Sequence, residues 1–225
     1  MIKLNLIWLL VLILIILAFI GFITFGYIST KSESEKYSFS RHFPYEINKS
    51  QASRIFSYLC GGFAFLPLTF ILPLYSDFGS LAFYSVFITC IFGLAMMSGA
   101  AISNLPTSYL KPHLVLSTIV MAFAFLTSTL TTVYSILISN LQTKAGLSGG
   151  VHIALAVVSG MLAVGMLFII FSPKLANWAK LEETVSNNEK MYTRGKFFPL
   201  AYSEWIAIGV IFLSEIIFLI STLSI

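Results

Sequence analysis

The sequence predicts an all-α membrane protein: a polytopic bundle of six transmembrane helices, built as one domain over residues 1–225. Three observations predict it. Of the 225 residues, 58% are hydrophobic and 10% charged, against about 25% charged in a soluble domain. The mean hydropathy is +0.93. Six apolar runs reach the roughly 20 residues that a helix needs to cross the hydrocarbon. A closed barrel would also satisfy its backbone in lipid, but its strands alternate in polarity and these runs are continuous.

The runs cover residues 6–28, 55–75, 81–102, 114–138, 151–171 and 205–225. The first exceeds the roughly 7–15 apolar residues of a signal peptide and no A-x-A-like site follows, so it reads as a retained helix. In the second, Pro67 and Pro73 follow Gly61-Gly62 and each removes a helical hydrogen bond, which bends the helix. The third is thin near one end, at Gly93 and residues 95–99. The fifth carries Ala156, Gly160 and Val164 four apart, with Ser159 and Ala163 as a second small pair. Such spacing lets helices approach closely.

Polar groups inside the runs are the places to look for function. The fourth run holds Ser128, Thr131 and Ser135 at helical spacing, with Thr127, Thr129 and Thr132 beside them. They are expected to bond to their own helix or to a neighbour; a polar transport path is the alternative. Glu215 lies about 15 Å below Trp205 along the sixth run, near mid-bilayer. A carboxyl there is expected to be neutral or bonded to a neighbouring helix, the fourth-run hydroxyls being the natural partners. The functional alternative is a proton or cation site.

Two connections are long, residues 29–54 and 172–203. The second opens with Ser172-Pro173, a cap followed by a first-turn proline. Leu175, Trp178, Leu181 and Val185 then recur at near-helical spacing. This predicts a short helix on the membrane surface with Trp178 at headgroup level. The other connections are short, so consecutive helices are antiparallel neighbours.

The net charge of +4 is too small and dispersed for a nucleic-acid reader, which leaves membrane lipids as the expected partners and other membrane proteins as further candidates. Cys60 and Cys90 both fall in apolar runs, and their number supports neither a disulfide framework nor a zinc site. Eleven of the thirteen Lys and Arg lie in the odd-numbered loops: Lys31, Lys36, Arg41, Lys49, Arg54, Lys111, Lys174, Lys180, Lys190, Arg194 and Lys196. Lys3 and Lys144 lie on the other side. The positive-inside rule then places the odd loops in the cytoplasm and both termini outside.

The distinctive polar residues gather on this odd-loop side. His42, Tyr45 and Glu46 lie in the first loop, His113 opens the fourth helix, and Glu204 and Trp205 open the sixth. A carboxylate at a helix N-terminus is favoured by the dipole and an imidazolium is not, so Glu204 reads as a cap-like anchor and His113 as neutral. Trp205 reads as an interfacial anchor. The candidate binding face is therefore Tyr45, Glu46, His113, Glu204 and Trp205, with the His113 and Glu204 side chains expected within about 10 Å, two helix diameters being too far. His152 opens the fifth helix on the opposite side. No His-x-x-x-His pair, nucleophile elbow, P-loop or dinucleotide fingerprint occurs, so no catalytic residue, metal ligand or cofactor is expected. Asn48-Lys49-Ser50 is a glycosylation sequon and would report the side of the first loop.

The first-loop Phe43-Pro44-Tyr45, the histidine at the start of the fourth helix and Ser203-Glu204-Trp205 opening the sixth resemble the damage-regulated autophagy modulator (DRAM) family. The agreement in spacing runs along nearly the whole chain. After Tyr45 the sequence reads Glu46-Ile47-Asn48-Lys49-Ser50 and lacks the family's glycine. That family is related to membrane proteins implicated in GPI-anchor remodelling and plasma-membrane lipid organisation. The resemblance implies cytoplasmic termini, the reverse of the charge count. It also implies a non-enzymatic multipass protein of the plasma membrane or an endomembrane, modulating lipid organisation, trafficking or autophagy. A lipid-modifying enzyme using His113 and Glu204, or a small transporter using Glu215, are the alternatives from the residues alone.

Overall fold

The structure, a computed structural model, describes residues 2–31, 36–71, 75–177, 182–186 and 189–223. Its long helices are α1 (Ile2–Thr30), α3 (Gln51–Ile71), α4 (Tyr75–Ile102), α5 (Leu110–Lys144), α6 (Gly150–Ile170) and α7 (Pro199–Leu223). A single turn, α2 (Pro44–Ile47), lies in the first loop. Among the described residues, α1, α4, α5, α6 and α7 are each long and apolar enough to cross a membrane. The chain is a multipass helical membrane protein. The remaining long helix, α3, begins with Gln51, Ser53 and Arg54, which lowers its hydropathy.

Several boundaries move from their expected places. α4 starts at Tyr75 rather than near residue 81, so its first turns take in Ser76, Asp77 and Ser80. Pro67 sits inside α3, whereas Pro73 lies outside the described residues. α5 runs for 35 residues, about 52 Å at 1.5 Å per residue, so it outreaches a hydrocarbon layer of about 30 Å. α7 starts at Pro199, whose missing N–H costs nothing in the first turn. Glu204 therefore lies in the second turn and is not an N-terminal cap. His113 is likewise the fourth residue of α5, past Pro112.

The expected surface helix after Ser172 is absent from the described residues. A 3-10 turn covers Pro173–Asn177, and an antiparallel hairpin follows: β1 (Glu182–Ser186) with β2 (Glu189–Thr193), Glu182 opposite Thr193 and Ser186 opposite Glu189. Thr184-Val185 and Met191-Tyr192-Thr193 favour extended backbone, and Asn187-Asn188 between them is turn chemistry. The helical spacing of Leu175 and Val185 loses to these local preferences. Trp178 and Leu181 lie outside the described residues.

α7 is the centre of the bundle and packs against α1, α4, α5 and α6, while α3 is wedged between α1 and α4 and α6 rides on α5. Lipid tails are as apolar as leucine, so packing and hydrogen bonds hold such helices together rather than removal from water. The contacts reflect this. Phe19 of α1 stacks on Phe212 of α7 at 4.0 Å, and Phe218 of α7 meets Phe92 and Tyr134. Gly61 and Gly93 bring α3 and α4 together: a Cβ at Gly61 would strike Met97, and one at Gly93 the Phe65 ring. On α6, Ser159 and Ala163 are buried toward the bundle. Of the expected Ala156–Gly160–Val164 set, Ala156 is buried and Gly160 lies beside Thr132 of α5, while Val164 is exposed.

The α5 hydroxyls act as joints between helices. Thr132 donates to Ser159 of α6 at 2.9 Å, Thr131 reaches the Ser214 carbonyl of α7 at 3.4 Å, and Ser135 pairs with Ser221 at 3.0 Å. Ser128 bonds back to carbonyls of its own helix.

Candidate functional site

The second turn of α7 and the first turns of α5 bring Glu204 and His113 together, both fully buried, with Nε2 3.0 Å from Oε1. The four residues from Tyr109 to Pro112 place His113 facing inward, and its Nδ1 donates to the Leu105 carbonyl at 2.8 Å. With that N–H spent, a proton must lie between Nε2 and Oε1 for the two to attract: imidazolium on carboxylate, or a carboxylic acid on neutral imidazole. The contact is off the line of an ideal hydrogen bond. Ser117, one turn along α5, reaches the same Oε1 at 2.5 Å and its own helix's His113 carbonyl at 2.9 Å. The other carboxyl oxygen, Oε2, is buried with no hydrogen-bond partner among the described residues.

The first loop roofs this pair. Phe43 is buried and stands edge-to-face with the His113 ring at 5.1 Å, and Tyr45 does the same at 5.8 Å. The Tyr45 hydroxyl meets Thr107 at 2.8 Å. Glu46 closes α2 by accepting from the Phe43 amide at 2.6 Å, and it accepts Arg194 Nη1 on both oxygens, at 2.7 and 2.8 Å. Arg194 also lies over the Phe43 and Phe198 rings. Partial burial opposes the guanidinium charge, but Glu46 beside it prevails and raises its pKa above the ordinary arginine value. The fifth loop is thereby latched onto the first, a join repeated where the Phe198 amide donates to the Ser40 carbonyl.

Trp205 is buried beneath the first loop rather than standing at the lipid interface. Its Nε1 donates to Tyr37 at 2.9 Å and to the His42 carbonyl at 3.0 Å. Burial pushes the Tyr37 hydroxyl above the usual phenol range, against the hydrogen bond from Trp205. His42 accepts from the Ser38 amide and stacks on Tyr37. The sequon also reads differently in three dimensions. Asn48 is buried, and its amide donates to the Ser103 carbonyl and to Asn104, both at 3.0 Å. The Asn48 side chain is therefore not presented on the folded surface.

Tyr45, Glu46, His113, Glu204 and Trp205 thus share one mouth of the bundle. Glu215 is apart, mid-helix in α7. It is buried, with Oε2 unpartnered among the described residues. It makes no hydrogen bond to the α5 hydroxyls; α7 turns it toward α3, within electrostatic reach of Cys60. Ser117 and Arg194 escaped the sequence reading. Ser117 could have been found, since it lies four residues after His113 on the same helical face. Arg194 comes from a loop whose pairing no periodicity announces.

The cluster does not have the order of a nucleophilic triad, because Ser117 bonds the acid and not the imidazole. Among the described residues no three His, Cys, Asp or Glu stand close enough to hold a metal ion. Fold and site together define a multipass helical membrane protein with a capped polar cluster at one mouth. No family model, curated protein or solved structure matches the chain.

Proposed function

We propose that the protein is a non-enzymatic, six-span membrane protein of the DRAM type that modulates membrane lipid organisation or trafficking, with the capped mouth as its lipid-facing element. The observation that carries this reading is where the polar groups are spent. His113, Glu204 and Ser117 join α5 to α7, and Tyr45, Glu46 and Arg194 fasten the first and fifth loops over that join, instead of lining an open cleft with a poised nucleophile. α3, 21 residues long and packed between α1 and α4, supplies the sixth span, so all three odd loops share one side. Following the resemblance, that side faces away from the cytoplasm.

Two experiments test the reading. Purified protein in phospholipid vesicles should leave lipid composition unchanged, while its deletion in the host should alter the lipid order or leaflet distribution of the resident membrane. Lipid turnover in the vesicles would replace this function with an enzymatic one. For orientation, Lys36→Cys, an exposed loop position, should react with an impermeant thiol reagent on intact cells. Labelling confined to permeabilised cells would reverse the topology in favour of the charge count.

A further inference from the structure

Glu204 and Glu215 lie on one stripe of α7, three turns apart, with Ile208 and Ile211 between them on the same face. Those two isoleucines wall a small crevice in the bundle interior. Phe19 and Phe22 of α1, Ser57 and Cys60 of α3, and Gly99 and Ser103 of α4 close its other sides. Its volume is about 20 Å³, room for a water molecule by the threshold of about 10–15 Å³.

The upper end of the crevice borders the cap. Asn104 donates to both Ser57 (3.4 Å) and the Ala100 carbonyl, and Ser103 presents its carbonyl to Asn48. Its lower end is set by Ile211 and Cys60. Glu215 is one helical turn below Ile211, and Cys60 is the ionisable group of α3 within its electrostatic reach. No described side chain forms a hydrogen bond or ion pair with Glu215. The Glu215 carboxyl is almost wholly buried, and neither its Oε2 nor the adjacent Ser214 hydroxyl has a hydrogen-bond partner among the described residues. A carboxylate so placed is far costlier than a carboxylic acid.

We propose that Glu215 is an intramembrane proton-binding site that exchanges its proton with water entering through this crevice from the capped mouth. The acid gives its proton to that water and takes one back, with no other bond changed. The site is a different function from lipid organisation and does not depend on it.

Infrared difference spectroscopy on the full-length protein in lipid bilayers tests this, with Glu215→Gln subtracted to isolate the band. The wild type should show a carboxylic-acid carbonyl stretch that Glu215→Gln loses, and the band should shift down on transfer to D2O. Gly99→Leu, which fills the crevice beside Ile208, should slow that shift severalfold. Gly99→Ala is the milder version, because an added Cβ meets Ile208 at an ordinary 3.7 Å, and it should slow the shift less. No carboxylic-acid band at neutral pH would overturn the proposal, since the group would then be ionised. A band that never shifts in D2O, or one that shifts equally fast with both Gly99 variants, would also overturn it, by showing a sealed site or another route.

Discussion

At the capped mouth, Glu204 is met by His113 and Ser117 and covered by Phe43 and Tyr45. Three turns along the same face of the same helix, Glu215 has an unpartnered Oε2, as Glu204 does, but no described side chain forms a hydrogen bond or ion pair with it. Both acids are buried to the same degree, so burial does not separate them. Their surroundings do. Near the loops, side chains and backbone carbonyls from several elements can converge on a carboxyl. In the middle of a span, helices have already used their own polar backbone, and a carboxyl is accommodated by holding its proton.

The largest effect expected from this contrast is at His113. His113→Ala leaves Glu204 buried without its partner and should cost about 3–5 kcal/mol, the scale of breaking a buried pair. Denaturant titration in detergent, followed by Trp fluorescence, measures it. A loss below 1 kcal/mol, taken as roughly the scale of an exposed pair, would mean that Glu204 finds other partners and that the two acids differ less than the geometry says.

Opening the latch should matter less. Arg194→Ala removes a part-exposed pair with Glu46 and the ring contacts with Phe43 and Phe198. A loss of about 1–2 kcal/mol is expected, with faster proteolysis of the first loop. Unchanged cleavage would show that the roof stays shut without Arg194.

Tyr37→Phe removes the acceptor of Trp205 and the donor to the Phe43 carbonyl and should cost about 1–2 kcal/mol, the worth of two neutral hydrogen bonds, and it should change the alkaline limb. Burial raises the Tyr37 pKa in the folded state above its unfolded value of about 10. The unfolded chain therefore loses that proton first, and stability is complete below about pH 10 and falls as pH rises beyond it. A pH series of unfolding midpoints should be flatter above pH 10 in Tyr37→Phe than in the wild type; matching slopes would dismiss the contribution.

Glu215→Leu sits at the small end. No interhelical hydrogen bond is lost, so stability should change by less than about 0.5 kcal/mol or increase. A clear destabilisation would reveal a bond from Glu215 to a neighbouring helix and draw the two acids together.

Much of the bundle was legible because hydropathy reads span length directly, and the gathering of His113 and Glu204 followed from antiparallel topology alone. What escaped depended on register within loops. Trp205 looks like an interfacial anchor by residue type and position, yet Tyr37 and His42 arrive over it from a loop with no periodicity. Asn48 matches a sequon, but the pattern says nothing of the Ser103 carbonyl 55 residues away. The fifth loop misled for a different reason: four apolar residues at helical spacing are a weak signal beside Thr184-Val185 and Tyr192-Thr193 on either side of Asn187-Asn188. Glu215 was recognised as a buried acid within a span, and a periodicity argument could not tell which neighbour it faced.

The central position of α7 has a consequence for biogenesis. It follows the other five described long helices in chain order, so the ribosome delivers the middle of the bundle after those surroundings. Until α7 inserts, Ser135 lacks Ser221, Thr131 lacks the Ser214 carbonyl, and His113 and Ser117 lack Glu204. The earlier helices then wait around an incomplete seam lined with hydroxyls and an imidazole. Such a half-built assembly is a ready client for membrane quality control, and a stop codon just before Pro199 would leave every nascent chain in that state.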